Sequence, residues 1–282
     1  MIIVDSNKCN CCRLCIQICH EYCIEQNNET IEINYRYCST CTQCIAVCPS
    51  QALTWDNSEP VAFDKKQFPT SSQLDELLKE RRTVRDFKKE KIKRELLNEI
   101  TDYANYAPTH NFNMRLIIID DDKFIEQIDK ELYSFNIKLY RYIFKPKIIH
   151  TIIKIFTPDR EFEYSKAKPK LEKSLKMEKA FRSFPAAILF IIADQRIPLS
   201  LESAQYALYN INLYALSKGI ACRNMVGNQM FLNRSKVIWN LLGLQKHEKI
   251  FGTMALGYPA VKFSNKVTGK KMPVQWIEKD SN

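Results

Sequence analysis

Ten of the eleven cysteines lie between residues 9 and 48. Cys9, Cys12, Cys15 and Cys19 follow C-x2-C-x2-C-x3-C. Cys38, Cys41, Cys44 and Cys48 repeat that spacing 29 residues later, and Pro49 comes next. Three cysteines three residues apart wrap a loop around an iron–sulfur cubane and supply three thiolates. The fourth points away, toward a second cubane. Cys9, Cys12, Cys15 and Cys48 are therefore expected to hold one [4Fe-4S] cluster, and Cys19, Cys38, Cys41 and Cys44 the second. A zinc site would want two C-x2-C pairs, not two interlocked sets of four. Cys11 and Cys23 are surplus, and small buried apolar side chains describe them better than a redox role.

A second group of residues is basic. Arg81-Arg82-Thr83-Val84-Arg85-Asp86-Phe87 puts three guanidiniums within five residues. Arginine forks bind phosphate oxygens bidentately, so an anion would relieve the crowding. Taken alone, the run also fits a solvated basic helix end.

The elements that position these groups follow from periodicity and punctuation. Residues 57–70 contain two prolines and no period, which marks a linker. Ser72 to Asp75 resembles a capping box ahead of Leu74, Leu77 and Leu78. Further on, a helix is expected over Lys93–Ala107, stopping at Pro108. Strands are expected over Arg115–Asp120, Ala186–Ala193 and Lys249–Leu256. Leu201, Ala204, Leu208, Ile211 and Ala215 step along one face of a long helix that should end at Gly219. A shorter helix follows Asn233. Strands and helices mix without strict alternation, so the fold class is α+β.

Composition narrows the chemistry. The 282 residues include only six glycines, and their spacing forms neither G-x-G-x-x-G nor a P-loop. The four histidines make no H-E-x-x-H. The longest apolar run, about 185–193, is half of what a membrane span needs, and no secretory signal is visible, so a cytoplasmic location is expected. Thiols stay reduced there, which opposes a disulfide knot. Residues 1–60 carry three basic and seven acidic side chains, whereas residues 61–282 carry 39 and 25. The net charge of +10 thus belongs to the second part. No nucleic-acid motif accompanies it, so nucleic acid is not an expected partner.

Two resemblances follow from these motifs. Residues 1–56 resemble a bacterial-type two-cluster ferredoxin, with His20 after Cys19 where that pattern has proline. Three later segments continue from the arginine run: Ala107-Pro108-Thr109-His110-Asn111, then Gly219 through Gly227, then Leu256-Gly257-Tyr258-Pro259, with Lys270-Lys271 shortly after. In this order they resemble the FMN-dependent nitroreductase family over about 72–276, in its branch with a fused N-terminal ferredoxin domain. The resemblance implies a two-cluster domain over 1–56, a linker over 57–70 and a nitroreductase-like α+β sandwich over 71–282, assembled as a homodimer. Arg81, Arg82, Thr83 and Arg85 would take the FMN phosphate and ribityl chain. Pro108, Thr109 and Asn111 would form a turn at the flavin. That turn is one residue short, which brings His110 and Asn113 into consideration. Val226 and Gly227 would present backbone N–H groups to the ring, and Lys270 and Lys271 would reach the phosphate. Ala221 stands where a glycine is usual.

The resemblance implies an iron–sulfur flavoprotein oxidoreductase. Clusters pass single electrons, and FMN accepts them singly and delivers a pair. The acceptor would be a small organic molecule of nitro, quinone or activated-alkene type. The donor is open between an external ferredoxin, a flavodoxin and NAD(P)H. The alternative is a non-catalytic module that relays electrons to a partner protein. Residues 137–182 hold 13 basic and five acidic side chains. They fit a helical cap over the flavin, or a basic amphipathic pair over 137–156, broken near Pro146, on anionic lipid.

Overall fold

A computed structural model of the chain describes residues 1–110, 112–157 and 161–277. The N-terminal head runs β1 (Ile2–Val4), α1 (Leu14–Ile18), β2 (Ile24–Asn27), β3 (Thr30–Ile33), α2 (Gln43–Val47) and β4 (Leu53–Trp55). β1 pairs antiparallel with β4, β2 forms a hairpin with β3, and α1 lies against α2. Its core is thin: Ile2, Ile24, Ile31 and Leu53 pack around the sulfurs of Cys15, Cys23 and Cys44. A core this thin is marginal by itself, and a metal or cross-link would reinforce it.

Between β4 and α3 (Ser71–Glu80) the chain makes only a bridge from Trp55 to Ser58 and a 3-10 turn at Lys65–Gln67. The cap of α3 lies two residues earlier than the sequence suggests. Thr70 Oγ1 accepts from the Gln73 N–H at 3.3 Å, and Gln73 Oε1 accepts from the Thr70 N–H at 2.8 Å. Helix α4 (Arg94–Asp102) is shorter than expected, because the chain tightens into a 3-10 turn over Tyr103–Tyr106 before Pro108. There the Tyr103 ring stacks on Tyr214 at 3.6 Å.

The body continues with β5 (Met114–Ile119), α5 (Asp122–Leu139), a π-turn at Tyr140–Phe144, α6 (Lys147–Phe156), α7 (Glu161–Met177) and β6 (Ala187–Asp194). It ends with α8 (Ser200–Ser217), β7 (Ala221–Asn224), α9 (Val226–Leu232), α10 (Lys236–Leu241) and β8 (Glu248–Gly257). One four-stranded sheet has the order β5-β6-β8-β7, every pair antiparallel. β6 is sealed on both faces. Ala187, Leu189 and Ile191 face α8 and α4, and Ile188, Phe190 and Ile192 face α5, α9 and α10. Full burial of such a side chain stabilises the fold by about 1.5–3 kcal/mol. Helix α8 closes as expected at Gly219, whose φ of +72° suits glycine. Helix α9 is not foreshadowed in the sequence, since its seven residues show no capping side chain. The break at Pro146 is present, as the N-cap of α6. Among the described residues no helix is long and apolar enough to cross a membrane.

Two contacts fix the ends of the sheet. A Cβ on Gly257 would lie 2.7 Å from Phe87 Cδ1, so only glycine lets the arginine segment cross the end of β8. We expect Gly257→Ala to destabilise the protein by about 1–3 kcal/mol, as overpacking does, and Phe87→Leu to recover part of it. Thermal unfolding of the single and double variants measures this.

At the other end, Arg115 on β5 donates twice to Glu248 on β8, at 2.7 and 2.8 Å. The Arg115 hydrogen bonds hold the Glu248 carboxyl down at about 2. A depressed carboxylate stabilises the fold above its unfolded value, and that contribution disappears as pH falls toward 2. Glu248→Gln should therefore remove roughly 1 kcal/mol of stability at neutral pH, after allowance for water around the exposed arginine, and nothing at pH 2. Urea titrations at the two pH values make the comparison.

Candidate functional site

The 29-residue repeat of the head is present in its backbone as well as its sequence. Left-handed φ values recur at Cys11 and Thr40 (51° and 55°), Arg13 and Thr42 (64° and 62°), and Tyr22 and Gln51 (51° and 53°). Arg13 and Thr42 are the N-caps of α1 and α2, and Cys19 and Cys48 are their C-caps. The halves interlock. The Asp5 N–H donates to the Ala52 carbonyl, and the Asn34 N–H to the Cys23 carbonyl, each at 2.8 Å. Each half therefore closes its loop on the other, which brings Cys48 toward Cys15 and the first half toward Cys38 and Cys44.

Sulfurs in this head receive N–H donors, as thiolates do. The Ala52 N–H points at Cys48 Sγ (3.3 Å) and the Thr40 N–H at Cys38 Sγ (3.4 Å). Burial works to raise the Cys48 thiol, but the Ser50 hydroxyl and the amides of residues 50, 52 and 53 outweigh it and lower it. Cys23 is buried, as expected, 3.5 Å from Cys19 Sγ. Cys11 is only partly buried, and its thiol donates to the Glu29 carbonyl at 3.1 Å. Among the described residues no three His, Cys, Asp or Glu side chains are arranged to hold a single metal ion.

All four cysteines of the second set, Cys19, Cys38, Cys41 and Cys44, line a cavity of about 540 Å³. None of Cys9, Cys12, Cys15 and Cys48 does. Its far wall comes from the body, as Thr109 and His110. Beside it, the rings of Trp55 and Phe112 meet edge to face at 6.1 Å and join head to body. The His110 N–H donates to Ser203 Oγ at 3.3 Å, which ties this turn to the start of α8. Asn111 lies outside the described residues. Pro108 and Asn113 are exposed next to the turn.

The arginines gather elsewhere. Arg81 and Arg82 line a second cavity, of about 320 Å³, with Asn212, Cys222, Lys262 and Phe263. The Val84 N–H donates to the Cys222 carbonyl at 3.1 Å and lays the arginine segment along β7. Thr83 is half-buried in that segment, and Arg85 is exposed. Asp86 is engaged by Arg182 through two bonds of 2.6 and 2.5 Å, so it does not neutralise Arg85. Arg223 approaches from β7. Its guanidinium is lowered by burial and then by the Arg85 charge. Two guanidiniums so placed favour an anion. Sequence reasoning did not single out Arg223, Lys262 or Phe263. Strand alternation held the signal for the first, since it sets Arg223 on the face of β7 opposite Cys222, where its guanidinium lies 5.8 Å from the Phe181 ring. Burial drives the Cys222 thiol up to about 12, so it packs as a neutral group.

Val226 and Gly227 begin α9 with Gly227 open, nothing lying within 4 Å of where its Cβ would be. Lys270 and Lys271 lie exposed on the C-terminal tail. An ion pair between Lys266 and Glu76 ties that tail to α3. The expected flavin residues thus form two groups. Arg81, Arg82, Thr83, Arg85, Val226 and Gly227 sit around β7 and the end of α8. Pro108, Thr109 and Asn113 sit at the start of β5 and of α8.

Comparison with known proteins agrees with this architecture. Among curated proteins none matches the sequence. Solved structures do match in fold. An FMN-bound nitroreductase from Desulfitobacterium hafniense DCB-2 superposes with a TM-score of 0.54 at 17% identity, over 72% of this chain and 97% of that one. One from Bacteroides fragilis NCTC 9343, also FMN-bound, gives 0.50 at 18%, over 72% and 99%. An iodotyrosine deiodinase bound to FMN and 3-iodo-L-tyrosine gives 0.50 at 21%, over 73% and 99%. The Nitroreductase family profile matches residues 78–258, from the end of α3 to the end of β8, and the chain belongs to the nitroreductase family.

Proposed function

We propose that this protein is an iron–sulfur flavoprotein oxidoreductase. The head would hold two [4Fe-4S] clusters that supply single electrons, and the body would hold FMN, whose chemistry would serve reduction of a small organic acceptor of nitro, quinone or activated-alkene type. The observation that carries this reading is the shared cavity, in which the second cysteine set faces Thr109 and His110. The family places the body among oxidoreductases, and the FMN-bound structures it resembles support that cofactor.

The residues present fit both groups. Eight cysteines in two equal, interlocked sets, with N–H donors aimed at the sulfurs of Cys38 and Cys48, are the donor chemistry of two cubanes. A cubane spreads its four thiolates over four irons, so it does not need the tight convergence of a single-ion site. FMN supplies the conversion between single electrons and electron pairs. The chain supplies the rest. Arg81, Arg82 and Arg85, with Lys270 and Lys271 on the tail, bind and orient an anionic phosphate. The amides at Val226 and Gly227, in the first turn of α9, would offer hydrogen-bond donors where negative charge develops. The 320 Å³ cavity that Arg81 and Arg82 line gives the phosphate end of the cofactor its room.

A homodimer belongs to this reading. Apolar side chains on α3 and α8, Leu74, Leu78, Leu201, Tyr206 and Tyr209, are exposed on the single chain. An interface would cover them. The donor is an external one-electron carrier or a nicotinamide, and a cytoplasmic location suits the reduced thiols.

Purified anaerobically, the protein should contain about eight iron and eight sulfide per chain with one FMN. It should sediment at twice the 33.1 kDa chain mass. Stoichiometric zinc without iron would contradict the reading. Replacing Arg81 and Arg82 together by alanine should weaken FMN binding by about a hundredfold, since removing a charge-assisted hydrogen bond costs a few kcal/mol at most. Fluorescence titration of the apoprotein measures it, and unchanged affinity would place the phosphate elsewhere.

A further inference from the structure

The two groups of flavin residues stand too far apart to serve one ring within one chain. Thr109 and Asn113 precede β5, and Val226 and Gly227 follow β7. These strands are opposite edges of the four-stranded sheet. Three strand spacings separate them sideways, about 14 Å, and the register offsets Met114 from Asn224 by the interval Lys249 to Met254 along β8, about 17 Å more. Helix α8 gives an independent measure. His110 is tied to Ser203 near its start, whereas the arginine cavity is lined by Asn212 and Leu216 near its end. At 1.5 Å per residue the interval is about 14–20 Å. The head meets the body beside the first group, through Trp55 on Phe112 and through the cavity wall of Thr109 and His110. A head is thus next to one half of a site and a sheet's width away from the arginines of its own chain.

A two-fold pairing resolves this. It sets the β5 side of one chain against the arginine side of the other, and repeats the contact in reverse. The face between the halves carries the exposed Leu201, Tyr206 and Tyr209 of α8.

We propose that electron delivery crosses the dimer: the head of one chain reduces the flavin whose phosphate is held by the arginines of the other. The exit is the cluster held by Cys19, Cys38, Cys41 and Cys44, whose cavity reaches the body. The cluster held by Cys9, Cys12, Cys15 and Cys48 faces the donor. This rests on the iron–sulfur flavoprotein reading above. In each step the reduced exit cluster loses one electron and the flavin gains one. Two such steps, with protons taken from solvent, complete the two-electron reduction. A low-potential one-electron carrier protein restores the head through the first cluster.

Two mixed dimers of equal composition test it. Both carry Cys41→Ser as the head lesion and the Arg81→Ala/Arg82→Ala pair as the anchor lesion. In the split dimer the lesions are on different chains. In the joined dimer they are on the same chain, paired with wild type. Each is isolated through two affinity tags and holds one FMN. Flavin reduction is followed by stopped-flow absorbance after the heads are reduced, and intact clusters are counted by electron paramagnetic resonance.

Delivery across the dimer predicts wild-type flavin reduction in the split dimer. It predicts reduction at least about tenfold slower in the joined dimer, since misplaced reaction partners lose orders of magnitude in rate. The reverse order, or equal rates, overturns the proposal. Trp55→Ala loosens the docked head without removing a thiolate, so it serves as a second head lesion if Cys41→Ser unfolds the domain. Wild-type protein lacking iron or FMN would instead overturn the functional reading on which the proposal rests.

Discussion

Burial of β6 on both faces is the constraint on which the rest of the body depends. Its six residues from Ala187 to Ile192 have no exposed surface. A strand so apolar must be central, so it needs a neighbour on each side and helices above and below. β5 and β8 supply the neighbours, and β7 is added beyond β8. The segments that enter β5 and leave β7, which carry the residues proposed to meet the flavin, are thereby driven to opposite edges. On the proposed reading, a site completed only by a second chain follows from how the core is sealed. Gly252 adds to the tightness, since a Cβ there would lie 3.0 Å from Leu208 of α8.

The head is built on a different principle. Its aliphatic core is small, and its two halves hold together by exchanging backbone hydrogen bonds and by packing side chains around sulfur. The left-handed residues at 11, 13, 40 and 42 bend each loop just ahead of α1 and α2, on which Cys15 and Cys44 are buried. Such strain in non-glycine residues persists when something holds the loops, and bound clusters would do so.

Much of this is legible in the sequence. The cysteine repeat is a one-dimensional signal, and the backbone repeats it pair by pair. The apolar runs at 115–120, 186–193 and 249–256 form strands within a residue or two of those bounds, because continuous burial leaves few alternatives. Helix α8 and its end at Gly219 follow from a helical period and one glycine. Short, weakly capped pieces are not legible: α9 has no capping side chain, and the box of α3 sits at Thr70 and Gln73. Nor is it visible that the flavin motifs separate. Motif order carries no distance, and the separation depends on strand order. Arg223 is hidden for the same reason, since only β7 packing brings it to Arg85.

Head and flavin are proposed to form one electron-transfer unit, with the exit cluster beside the Thr109–His110 turn. The most direct test is the microwave power saturation of the flavin radical in the partly reduced holoprotein, at low temperature. Such a unit predicts a radical that resists saturation, because a paramagnetic cluster nearby speeds its relaxation. The effect should disappear in protein lacking residues 1–60. A flavin radical that saturates equally with and without the head would contradict a shared unit.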